Sequence, residues 1–141
     1  MSWGLCEHFV GKEREKVLEK HIELLKDDGI IVISVPHKYG LFYRLNMALQ
    51  EILGLWSFGE EVPFTRKELG NFFKKRGYNA EFYMYGFYAS IYDLFIRKPL
   101  KMFKIYPKRR FDNTKSFFDW PFGIGLVVIA SKKGTIYKKK K

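Results

Sequence analysis

The sequence predicts an α/β fold, and three observations carry that prediction. The stretch DDGIIVISVPHKYG, Asp27 to Gly40, holds Ile30, Ile31, Val32, Ile33 and Val35 in a nearly unbroken β-branched run. A strand wet on one face alternates apolar with polar residues. An unbroken run reads instead as a strand covered on both faces, as in parallel sheets with helices above and below. Helical periodicity appears on both sides of this run, and a second near-continuous apolar stretch, GIGLVVIASKK, spans Gly123 to Lys133.

Each element follows from local pattern. From about Lys12 to Lys26, Val17, Leu18, His21, Leu24 and Leu25 fall on one stripe at helical spacing, which makes His21 a structural residue. Asp27, Asp28 and Gly29 end that helix and turn the chain into the apolar strand. Leu41, Leu45, Leu49 and Ile52 mark a second helix that stops at Gly54. In TRKELGNFFKKRG, Thr65 and Glu68 form a capping box, Leu69, Phe72 and Phe73 form the apolar stripe, and Gly77 is the stop. YNAEFYMYGF then reads as an aromatic, roughly alternating strand. Between it and the last strand, Tyr88 to Pro121 mix aromatic and basic residues without a clean period, with short helices expected near Ser90–Ile96 and Leu100–Ile105. Connections of this length are commonly binding loops or lids.

Composition sets the bounds. A chain of 141 residues with 47% hydrophobic content suits one domain with a real core. Mean hydropathy of −0.24 and the absence of any apolar run of about 18 residues argue against a membrane span. The N-terminus has no basic stretch ahead of an apolar one, so a secretory signal is not expected and the default compartment is cytoplasmic. Cys6 is the one cysteine, which excludes an internal disulfide and a thiolate metal cluster; no metal site is expected.

Charge is uneven. The net charge is +11, yet residues 1–80 are nearly balanced. Arg97 to Lys115 hold eight basic residues against the single acid Asp112, and six further lysines follow the last apolar run. Such a half points to an anionic partner (nucleic acid, a phospholipid surface or a phosphorylated acceptor) or to a plain solubilising surface.

SWGLCEHF followed by a helix, then DDGIIVISVPH, WSFGEEVPFTRKELGNFFKKRGY and GIGLVVIASKK, together resemble the C-terminal half of a class I S-adenosylmethionine-dependent methyltransferase. The resemblance implies a Rossmann-like sheet represented by its fifth, sixth and antiparallel seventh strands with their helices. Residues 1–133 would be a partial methyltransferase domain, residues 88–121 its variable aromatic and basic insertion, and 134–141 a basic tail. It also places Ile30–Val35 between the end of a fourth strand near Met1–Trp3 and the strand Gly123–Ser131. By the same resemblance Ser2, Trp3 and Gly4 border S-adenosylmethionine, and Glu7 and His8 stand at the mouth of the site, with His8 as the catalytic base. His37, at the end of a strand, and Glu60, paired with Glu61, would face the acceptor. Arg109 and Arg110 would suit an anionic one.

The departures are as informative. No G-x-G-x-x-G stretch occurs, and the GIG at Gly123 leads into a strand with no helix after it. The expected chemistry is methyl transfer to an unknown acceptor, with this chain inactive by itself. Two alternatives stand beside it: a non-catalytic remnant that binds a partner through an unpaired strand edge, homodimerisation included, and a small basic nucleic-acid-binding protein.

Overall fold

The computed structural model describes residues 1–57, 59–107 and 116–132. Its frame is a four-stranded sheet in the order β1-β2-β4-β3, where β1 is Ser2–Trp3, β2 Ile30–Pro36, β3 Tyr78–Tyr85 and β4 Gly125–Lys132. β1 runs parallel to β2, pairing Ser2 with Ile33 and Trp3 with Ser34. β4 is antiparallel to both its neighbours, so Val128 lies between Ile33 and Phe82. The apolar run of β2 thus sits between the strand stub at the N-terminus and the last strand, as the sequence reading expects.

Helices α1 (Gly11–Glu23) and α3 (Arg66–Lys75) build the core against one face of this sheet. Leu18 from α1 and Leu69, Phe72 and Phe73 from α3 cluster with Ile31, Ile33, Val35, Leu126, Val128 and Ala130. Here the expectation of double coverage needs correction. Val32, Val127 and Ile129 point to the opposite face and are only partly buried, and Ile30 and Tyr83 are exposed. Side chains alternate across a strand, so a continuous apolar run clothes both faces whether or not both are covered. Among the described residues the helical cover is one-sided.

Local chemistry explains the helix ends. Thr65 Oγ1 accepts from the Glu68 amide at 3.0 Å while the Glu68 carboxylate accepts from the Thr65 amide, which completes the capping box. Gly77 takes φ of +80° just beyond α3, a conformation open to glycine at little cost. α1 stops at Glu23, short of Lys26, and leaves Leu24 85% exposed.

Helix α2 (Leu41–Ile52) has no buried residue. Its stripe of Leu41, Leu45, Leu49 and Ile52 faces outward. The segment after β3 runs through α4 (Phe87–Tyr92), a π-helical turn (Asp93–Arg97) and α5 (Lys98–Met102), and α6 (Asp119–Phe122) leads into β4. Phe42 of α2 meets Phe87 and Phe95 edge-on, with ring centroids 5.8 and 6.0 Å apart, and Phe87 also packs on Phe118 at 5.3 Å. Two short helices expected in this segment are therefore one continuous helical path with a π turn inside it. None of the described helices is long and apolar enough to cross a membrane.

Candidate functional site

The chain leaves β1 through Gly4, at φ of +66°, and turns through a 3-10 segment at Cys6–His8. This turn stands at the C-terminal ends of the parallel strands β1 and β2, where open α/β sheets place ligands. A cleft of about 160 Å³ opens there, lined by Trp3, Gly4, Glu7, Ser34, Tyr43 and Tyr85 among others. The Tyr85 hydroxyl lies 3.2 Å from Ser34 Oγ, and its ring packs on Trp3 at 5.8 Å. Gly125 leaves room for it: a Cβ on Gly125 would fall 2.2 Å from the Tyr85 ring.

Glu7 is the unusual residue of the site. It is 3% exposed, and among the described residues its Oε2 has no hydrogen-bond partner. Burial pushes its carboxyl above the ordinary value, and Glu61 adds to this, while its own backbone amide, His8 and Arg14 oppose it. Beside it, His8 Nδ1 donates to the Glu60 carbonyl at 3.2 Å, which in a neutral ring leaves Nε2 as the acceptor. Tyr43 donates its hydroxyl to Glu61, and burial followed by that bond raises the phenol well above its usual range. Glu7, His8 and Glu61 each offer a ligand atom within 4.8 Å of the other two. Two carboxylates and an imidazole form a donor set of the kind that holds a divalent cation such as Mn²⁺. With or without an ion, they can also hold a proton.

Arg14 locks this arrangement. Its guanidinium donates to the Val62 and Pro63 carbonyls at 2.6 and 3.0 Å and to Glu68 at 2.7 Å, and it lies 3.3 Å above the Phe64 ring. The Val62 amide in turn donates to the Glu7 carbonyl at 2.8 Å. One buried arginine therefore ties α1, α3 and the loop carrying Glu61 to the turn carrying Glu7.

The sequence-expected residues divide. Trp3, Gly4 and Glu7 line the cleft, and His8 stands beside Glu7. Ser2 does not line it: its hydroxyl meets His21 Nε2 at 2.8 Å, while His21 Nδ1 donates to the Val17 carbonyl at 2.7 Å. His21 is structural, as expected. Cys6 is fully buried, and burial raises its thiol pKa. His37 is 2% exposed and does not line the cleft; burial lowers its pKa, the Gly123 carbonyl opposing, and among the described residues Nδ1 lacks a partner. Glu60 is exposed and contributes its carbonyl, whereas the carboxylate in the cluster belongs to Glu61. Arg109, Arg110 and the tail 134–141 lie outside the described residues. Sequence reasoning named Glu61 within the acidic pair at the acceptor pocket but missed Arg14, Tyr43 and Tyr85, and with them the cation-type donor set. For Glu61 the signal was present in the adjacent acids Glu60 and Glu61. For Arg14 there was only a basic residue on a helix.

Neither a protein-family model nor a curated protein matches this sequence. Among solved structures, the chain is similar to one described as the crystal structure of small RNA methyltransferase HEN1, with a TM-score of 0.50 and 14% identity. The likeness covers 96% of this chain and 14% of that one, so the chain spans about a seventh of the protein it matches. At that identity the likeness bears on the fold, which is methyltransferase-like.

Proposed function

We propose that this chain is the acceptor side of an S-adenosylmethionine-dependent methyltransferase site, equivalent to the strands that close such a sheet at its antiparallel end. The observation that carries this reading is the position of Glu7 and His8. They leave the end of a parallel strand in a sheet whose last strand, β4, is inserted antiparallel between β2 and β3. The cofactor supplies an activated methyl group on a sulfonium; the residues here position the acceptor and take its proton. Trp3 and Gly4 would form the wall that borders S-adenosylmethionine. The cleft walls would orient a bound acceptor, and His8 Nε2 or the Glu7 carboxylate would take its proton. Glu61, held by Tyr43, balances the charge.

The test is a titration of the chain with S-adenosylmethionine, followed by NMR. Shift changes at Trp3, Gly4 and Glu7 at millimolar ligand, with affinity far weaker than low micromolar, are expected, because no glycine-rich cradle is present in the sequence. Shifts away from the cleft, or no shifts at all, would overturn the reading. Low-micromolar stoichiometric binding would assign a complete cofactor site to this chain. A second reading, a partner-binding module without catalysis, is favoured by the half-exposed sheet face of Val32, Val127 and Ile129.

A further inference from the structure

Helix α2 carries its apolar stripe on the outside. At 3.6 residues per turn, Leu45, Leu49 and Ile52 share one side, and Ile52 is 82% exposed. Phe42 and Asn46 lie one step round the helix, where Phe42 meets Phe95 and Asn46 accepts from Lys98. The stripe therefore borders the helical path from α4 to α5, which adds exposed Phe95 and, at its end, Phe103, 76% exposed. Lys104 follows at φ of +60°, a conformation glycine adopts more cheaply, so a charged side chain is kept beside Phe103 at some backbone cost.

Charge tells what this face meets. Residues 88–107 contain Arg97, Lys98, Lys101 and Lys104 against Asp93 alone. Aliphatic and aromatic side chains bordered by basic ones are the composition of elements that lie in the plane of an anionic bilayer. A nucleic acid would leave most of an exposed leucine stripe unused, because phosphates and base edges are met mainly by cationic and polar side chains. A second copy would bring like charge against like in this region.

We propose that α2 and the α4–α5 path form a docking surface for an anionic lipid bilayer, with Leu45, Leu49, Ile52, Phe95 and Phe103 entering the interface and Lys98 and Lys104 at the headgroups. The cleft opens on the same helix, through Tyr43. Docking is independent of whether that cleft transfers a methyl group.

The experiment is vesicle flotation of the full chain with phosphatidylcholine vesicles, with or without about a third phosphatidylserine. Flotation with the anionic vesicles alone is expected, weakening as salt rises. The pair Leu45→Glu and Leu49→Glu, both exposed positions, should reduce partitioning by about tenfold or more while the circular dichroism spectrum stays that of the parent chain. Absence of flotation would overturn the proposal. So would flotation that this pair leaves intact, which would reduce binding to basic charge alone. Two other results would also overturn it: a single-stranded RNA that needs the two leucines as much as the vesicles do, or a dimer that the pair dissolves without any vesicle binding.

Discussion

A carboxyl buried to 3% exposure, with no partner for Oε2 among the described residues, holds its proton more tightly in the folded chain than in the unfolded one. For Glu7 the folded pKa lies above the ordinary 4.5, so between the two values the folded state binds more protons. Its contribution to stability is complete below the unfolded value and is lost as pH rises through the folded one. Glu7→Gln should therefore flatten the decline of Tm above pH 5. A Tm profile that keeps its slope in the variant would show that the carboxyl does not govern it. The cluster adds a second expectation. Mn²⁺ should raise the Tm of the parent chain at neutral pH but not that of Glu7→Gln, since an ion that binds only the folded state stabilises it by mass action. Equal shifts in both would place any ion elsewhere. At this scale Glu7 and His8 were named through the resemblance that SWGLCEHF carries. Glu61 was visible only as one of two adjacent acids; its pairing with Tyr43, Glu7 and His8 was not, because those partners lie far off in sequence.

Elements were legible where their signals were local. The capping box and glycine stop of α3 can be read in a dozen residues, and the structure holds both. Thr65→Ala should cost about 1 kcal/mol in chemical denaturation, for the loss of one cap. A larger loss would mean that Glu68, which also binds Arg14, shifts with it. Arg14 was not legible, because its partners Val62, Pro63 and Glu68 belong to a loop and a helix some fifty positions on. Arg14→Ala leaves two carbonyls and a carboxylate without their buried donor and should cost about 3 kcal/mol. Arg14→Lys should recover only part of this, because an ammonium cannot reproduce the planar fork. Full recovery in urea titrations would reduce the residue to a point charge. α2 marks the limit of periodicity: a leucine stripe announces a helix, but not which way its apolar side will turn.

Across the whole molecule, the apolar run that predicted a two-sided strand is present, and among the described residues one of its sides is only partly covered. β1 pairs only Ile33 and Ser34, so among the described residues the outer edge of β2 from Ile30 to Val32 has no strand beside it. Free amides and carbonyls on a flat, β-branched strand invite pairing with another chain. The half-exposed Val32, Val127 and Ile129 add apolar area to the same side of the sheet. Charge does not oppose association there, since residues 1–80 hold twelve basic against eleven acidic side chains. Net repulsion is concentrated in the last third of the sequence. The chain should therefore self-associate through this edge and face, in a symmetric dimer that sets β2 against β2. Sedimentation at tens of micromolar should show a species larger than a monomer. Ile129→Lys, which puts a charge on the partly covered face, should dissociate it, whereas Leu45→Glu with Leu49→Glu should leave it intact. A well-folded monomer in the parent chain would mean that a strand edge and apolar face of this size are tolerated in water.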